Sequence, residues 1–181
     1  RQGESGVEGY AEDYAYLIFG LLELFQAEGN AKWLEWAQTL QDRQNALFWD
    51  PAEGGWFSTT GTDESVLLRL KEEYDGAEPA ASSIGVLNLL AFSHLSPGAA
   101  ASALDPKDQI ELTLGSFASR ATQSGRVAPM MLAALSTSHA GMPQVVVVGE
   151  KPDDLRPLLD IVRRRYLPTA LIVPVHAANR D

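Results

Sequence analysis

The sequence predicts a mainly α protein built from helical hairpins that closes on a small C-terminal β-α-β unit. Three observations predict it. Apolar residues recur at three- and four-residue steps through most of the first 140 positions. Gly- and Pro-containing clusters cut those stretches into helix-sized pieces. Near the C-terminus, two β-branched runs flank one helical stretch.

The first helix carries Tyr10, Tyr14, Leu17, Ile18, Leu21, Leu22 and Phe25 on one face, and Gly29-Asn30 ends it. A second helix places Trp33, Trp36, Ala37, Leu40 and Leu47 on one stripe, with Gln38, Gln41, Asp42, Arg43 and Gln44 opposite. That periodicity predicts Trp33 and Trp36 in the core, and a short turn makes the two helices a hairpin. From Phe48 to Thr60, aromatics surround Asp50-Pro51 and Gly54-Gly55, the pattern of a turn or short β-hairpin that projects Trp49, Trp56 and Phe57. An extended run, Ser65 to Leu70, leads to Asp75, Glu78 and Pro79, the spacing of a helix start for a third helix with Ile84, Leu87, Leu90 and Ala91. Ser96 to Leu104 is a loop; a fourth helix carries Ile110, Leu114, Phe117 and Ala121, and a fifth runs from about Ala128 to Ser136.

The last portion changes in kind. Gln144 to Val148 and Ala170 to Val175 are β-branched runs on either side of a helical stretch, Asp153 to Arg165, which predicts a parallel pair joined by a crossover. The expected division is therefore helical hairpins over 1–141 and a β-α-β appendage over 142–181. Gly149-Glu150-Lys151-Pro152 lacks the dinucleotide-binding pattern, so the appendage reads as structural.

Composition excludes several functions. With 45% hydrophobic and 21% charged residues the chain has material for one sizeable core. A net charge of -10 gives no surface for nucleic acid or for anionic membranes. The basic cluster Arg163-Arg164-Arg165 reads as a solvated helix face. There is no cysteine, hence no disulfide, thiolate nucleophile or Cys-ligated metal in this chain. His94, His139 and His176 have no second ligand at metal spacing, and Ser82-Ser83 lacks a hydrolase elbow, so no metal and no cofactor are expected. No apolar stretch is long enough to span a bilayer. The chain opens at Arg1 rather than Met, as a processed or excised piece would, so a compartment does not follow; a soluble, cytoplasmic protein is the default expectation.

Chemistry narrows to acidic and aromatic residues at helix starts. Glu12, Asp13 and Tyr14 open the first helix, while Lys71, Tyr74, Asp75 and Glu78 lead into the third, which puts both groups at the same end of alternate hairpins. Carboxylates gathered at one mouth can act as general acid and base or hold sugar hydroxyls, with an indole as stacking face. On that reading Glu12, Asp13 and Glu78 are catalytic, and Tyr14, Trp49, Trp56, Lys71, Tyr74 and Asp75 bind substrate. The competing reading is that acids in a first turn cap their own helix without any ligand.

Several motifs in order carry a resemblance. They are Glu12-Asp13-Tyr14-Ala15-Tyr16, Trp33-Leu34-Glu35-Trp36-Ala37, Leu47-Phe48-Trp49-Asp50 with Gly54-Gly55-Trp56-Phe57, and Leu70-Lys71 through Asp75-Gly76-Ala77-Glu78-Pro79. Pro129 to Leu135, the Val145 to Gly149 strand and Tyr166-Leu167-Pro168 continue it. Together they resemble the spermatogenesis-associated, thioredoxin-domain-containing proteins. The resemblance implies an incomplete α/α toroid, the C-terminal hairpins of a six-hairpin barrel, with a thioredoxin-like domain and its redox motif upstream. Such barrels are similar to those of sugar epimerases and six-hairpin glycosidases, which implies carbohydrate binding or processing by analogy of fold. The chain departs from the family at Ala80-Ala81-Ser82-Ser83, where the pattern is Ser, a small residue, Asn and Ser; a hydroxyl and an amide are lost there.

Two alternatives stand beside a carbohydrate site. One is a non-catalytic scaffold presenting the thioredoxin-like domain to clients, and the other is a thiol-redox protein whose barrel selects substrates. A piece of a ring also exposes apolar edges, so pairing with the rest of the protein or self-association is expected.

Overall fold

The computed structural model describes residues 8–62, 66–95, 105–124 (backbone alone at 119–124) and 128–179. Among these the order is α1 (Ala11–Glu28), α2 (Ala31–Phe48), α3 (Ala81–Leu95), α4 (Pro106–Ser124), α5 (Pro129–Ala140), β1 (Gln144–Val148), α6 (Pro152–Arg163) and β2 (Leu171–Val175). The chain is mainly helical with a small β unit, as its periodicity predicts. No helix among the described residues is long and apolar enough to cross a membrane. The Ser96 to Leu104 loop lies outside the described residues.

α1 and α2 form a hairpin across two residues. Gly29 takes the left-handed conformation, φ 68°, and its N–H donates to the Phe25 carbonyl at 2.7 Å. Asn30 then caps α2 by accepting the Lys32 N–H at 3.2 Å. α3 is the central element, packed against α1, α4 and α5. From Ala81 to Phe92 only Leu87 is less than fully buried, which is the character of a helix surrounded on all sides. Phe48, Trp56, Ile84, Leu89, Ile110 and Met131 build the core around it. A second cluster joins Ile18, Leu21, Ala37 and Phe92 to Leu171, so β2 is held against α1. β1 and β2 pair in parallel, Gln144 beside Leu171 through Val148 beside Val175. α6 covers one face of that pair through Leu155 and Leu159 against Val147.

α2 does not bury its expected face. Trp36 is 49% exposed and Trp33 only half-buried, whereas Gln41 and Gln44 are inside with Ala37 and Phe48. The Gln44 side-chain amide donates to the Ala11 carbonyl at 3.0 Å, and that of Gln41 donates to Gln44 Oε1 at 3.2 Å and Asn45 Oδ1 at 3.1 Å. Those partners replace the water that burial removes from the two amide N–H groups and from Gln44 Oε1. Trp33 and Trp36 instead stack on each other at 6.3 Å on the outer face, and the Trp33 indole N–H donates to Glu28 at 2.8 Å.

Two further expectations shift. α3 begins at Ala81, not within the Asp75 to Pro79 segment, because Asp75 bonds the Ala80 N–H just before the helix with one oxygen and the Met130 N–H across the fold with the other. Residues 66–70 of the expected extended run form no strand, though the Ser58 N–H donates to the Leu70 carbonyl at 2.8 Å; Ser65 lies outside the described residues.

Candidate functional site

The aromatic stretch after α2 is a tight hairpin turn, as its sequence predicts. Trp49 and Trp56 form an antiparallel bridge, and the Phe57 N–H donates to the Phe48 carbonyl at 2.8 Å. Gly54 and Gly55 are both left-handed, φ 73° and 76°, where a side chain is strained. Space forbids one as well: a Cβ would stand 2.7 Å from the Thr113 nitrogen at Gly54 and 2.8 Å from Ser82 Oγ at Gly55.

This turn decides the fate of both indoles. Trp56 is 1% exposed, its ring lies where a Cβ on Gly85 would be 2.5 Å away, and its indole N–H donates to Asn45 at 3.0 Å. The expected stacking face at Trp56 is therefore corrected to a core position, since no face of the ring is open. Trp49 is half-buried and meets Trp56 edge-on at 5.2 Å.

Lys71 also serves the turn. Its ammonium donates to Asp50 Oδ2 at 2.7 Å and to the Gly54 carbonyl at 3.0 Å, with both side chains almost wholly enclosed. Burial pushes the Asp50 carboxyl upward, but the Lys71 ammonium and the N–H groups of Ala52 and Glu53 outweigh it and hold the carboxyl below its usual range. The substrate role expected of Lys71 competes with this ion pair.

The acids of α1 and of the segment before α3 divide into two kinds. Asp13 caps its own helix, accepting the Tyr10 N–H at 2.8 Å. Asp75 is 8% exposed and braces two helix starts at once: Oδ1 accepts the Ala80 N–H at 2.8 Å, while Oδ2 accepts those of Met130 and Met131 at 2.7 and 3.2 Å. That is the position where an acid also complements the α5 macrodipole. Asp75→Asn keeps the shape but loses a charged acceptor, and is expected to lower unfolding free energy by about 2 kcal/mol in urea denaturation. An unchanged midpoint would remove Asp75 from this structural role. Glu78 is exposed, and Glu12 is half-buried with its carboxylate accepting the Ser58 hydroxyl at 3.2 Å.

Tyr16 links α1 to the segment before α3. Its hydroxyl donates to the Pro79 carbonyl at 2.9 Å. Burial, then the charges of Glu78, Asp75 and Glu12 in that order, raise the phenol above its ordinary value of 10.0, so it remains a donor at neutral pH. The Tyr16–Pro79 bond thus joins the first turns of α1 to the segment before α3. Sequence reasoning passed over Tyr16; its signal was its place two residues after Tyr14 in a Glu-Asp-Tyr-Ala-Tyr motif. Tyr14 itself packs edge-on against Phe48 at 5.5 Å, and Tyr74 is 58% exposed with its ring over Gly76.

A cavity of about 70 Å³ lies among the Gly54-Gly55 turn, Lys71, Ala80, Ser82, Thr113 and Phe117, and neither Tyr16 nor Glu12, Asp75 or Glu78 lines it. Ser82 Oγ is occupied in accepting the Trp56 N–H at 3.1 Å. A cavity that takes benzene has about 150 Å³. This one has room for a hydroxyl or methyl group. Among the described residues, no group of three or more His, Asp or Glu is placed to hold a metal ion.

No family model matches the sequence. Curated proteins do. The chain is 37% identical over 169 residues to spermatogenesis-associated protein 20 of Rattus norvegicus, covering 91% of the chain and 20% of that protein. It is 35% identical over 167 residues to the Homo sapiens protein of the same name, covering 91% and 21%. An uncharacterized protein of Caenorhabditis elegans is 31% identical over 157 residues, covering 85% and 20%. The chain spans about a fifth of the length of these relatives.

Proposed function

We propose, from the premise that this chain belongs with the spermatogenesis-associated protein 20 family along the stretch they share, that it forms part of a hydroxyl-binding mouth in a larger α/α barrel. The ligand class is carbohydrate. One observation carries the reading: the Tyr16 hydroxyl donates to the Pro79 carbonyl at 2.9 Å, tying the start of α1, which carries Glu12, to the segment before α3, which carries Asp75 and Glu78. The Tyr16 proton is spent on the Pro79 carbonyl, so what this region offers sugar hydroxyls is acceptors: the carboxylates of Glu12 and Glu78 and the remaining lone pair of the phenol oxygen. Among the described residues no backbone N–H bonds to the carboxylate of half-buried Glu12 or exposed Glu78, unlike those of Asp13 and Asp75, so these two are the ligand-facing pair within the wider set of nine residues. Asp13 and Asp75 then position the helices that present them.

A glycan and monosaccharide binding screen tests this on the longest natural polypeptide that contains the chain. Glu12→Gln and Glu78→Gln are expected to lose at least about tenfold in affinity, the loss of one charge-assisted hydrogen bond. Asp13→Asn is expected to lower stability without a selective loss of binding. If no sugar binds, or if both Gln variants bind as wild type does, the carbohydrate reading fails.

A second reading is favoured by a specific observation. Asp13 and Asp75 are engaged with backbone N–H groups, the behaviour expected of capping residues. On that reading the hairpins are a scaffold that presents a thioredoxin-like domain, or selects its clients, in the longer protein. An insulin-reduction assay of the full-length protein, with and without its cysteines outside this chain, reports on the redox part.

A further inference from the structure

The two edges of the parallel pair are built differently. The Leu171 N–H donates to the Pro143 carbonyl at 2.9 Å and the Gly149 N–H to the Val175 carbonyl at 3.0 Å. With the observed register, the even spacing of a parallel ladder turns the polar groups of Val145 and Val147 inward to β2. Those of Gln144, Val146 and Val148 consequently point outward from β1, and those of Ile172 and Pro174 outward from β2.

The β2 edge is closed. The Ile172 N–H donates to Gln26 Oε1 at 2.9 Å, Pro174 has no N–H, and the Pro174 carbonyl accepts the Asn179 amide at 2.9 Å. The β1 edge is open. Val146 and Val148 are 52% and 55% exposed, and no hydrogen bond among the described residues reaches their outward N–H or C=O. Its sequence, Gln-Val-Val-Val-Val, has no Lys, Pro, Gly or charge of the kind that natural edges use against pairing. A two-stranded pair is also at the lower limit of a stable sheet.

We propose that the β1 edge is an interface for a second copy of this chain, pairing β1 with β1 antiparallel about a twofold axis at Val146. Self-complementarity selects this occupant. The three outward residues are symmetric about Val146, so Val146 faces its own copy and Gln144 faces Val148, each as a pair that exchanges two backbone bonds. An uncharged strand meets itself without like charges in register. The result is a four-stranded sheet whose outer edges are the two closed β2 strands.

Sedimentation velocity of the 181-residue chain over a concentration series tests this, with helical content followed by circular dichroism. A monomer–dimer equilibrium is expected. Higher salt tightens it, because each copy carries a net charge of -10 that salt screens. Val146→Pro removes the outward N–H without touching a bond to β2, and Val146→Lys places a charge on its own copy. Each is expected to weaken dimerisation by at least about tenfold with helicity unchanged. Leu158→Asp, on the exposed face of α6, leaves the dimer intact. A monomer at all concentrations, or a dimer insensitive to both Val146 variants, overturns the proposal. A dimer lost in Leu158→Asp does so too, by moving the interface to α6. A monomeric longer polypeptide in which Val146 is protected from hydrogen exchange would assign the edge to a strand of the same molecule instead.

Discussion

Replacing Lys71 with Met is expected to lower the unfolding free energy by about 3–5 kcal/mol, because it leaves the Asp50 carboxylate enclosed without its counter-ion. The size follows from enclosure. The two side chains are 12% and 10% exposed, so little water can replace the ammonium, and the bond to the Gly54 carbonyl is lost as well. The effect depends on pH with a definite sign. Asp50 has a folded-state value depressed below its ordinary 3.8, so its contribution is complete above that value and is lost as pH falls through the folded one. Wild type therefore loses stability relative to Lys71→Met as it is titrated into acid, and the gap between them closes. Urea denaturation of both proteins between neutral pH and about pH 3 measures this. A constant gap across that range would detach the ion pair from the turn's stability.

Trp56→Ala is expected to cost about 3–5 kcal/mol, the range for deleting a fully buried aromatic side chain. It also leaves Asn45 Oδ1 without the indole donor. Circular dichroism is the suitable probe, since the substitution alters tryptophan fluorescence directly. The same site read as a sugar-stacking platform would lose ligand affinity with little change in stability, so the two readings predict opposite outcomes. Gly85→Ala checks the packing from the other side. A Cβ there meets the Trp56 ring at 2.5 Å, and overpacking of this kind costs about 1–3 kcal/mol. An unchanged midpoint in Gly85→Ala would mean that the indole has room to move.

The candidate site was legible in part. Acids at the start of α1 and before α3 were visible as helix-start chemistry, and the Tyr16 hydroxyl on the Pro79 carbonyl joins the two segments that carry them. What each acid does was not visible. Asp13 meets an N–H three residues away, which its spacing permits; Asp75 meets N–H groups 55 and 56 residues away, which no local pattern encodes. Lys71 and Asp50 are 21 residues apart and read as unrelated charges until the Gly54-Gly55 turn folds one over the other.

From the sequence alone follow the positions and approximate ends of the helices, the turn between Trp49 and Trp56, the two β-branched strands, and the exclusion of thiol chemistry from this chain. These depend on periodicity, backbone conformation and residue inventory, all of which are local. Only the tertiary structure decided which face of α2 is inside, which indole is core, which acids brace helices, and which edge of the sheet is open. The physical reason is common to all four. A polar group may be buried wherever a partner satisfies it, and Gln44 with Ala11, Asp75 with Met130, and Ile172 with Gln26 find partners 33, 55 and 146 residues away.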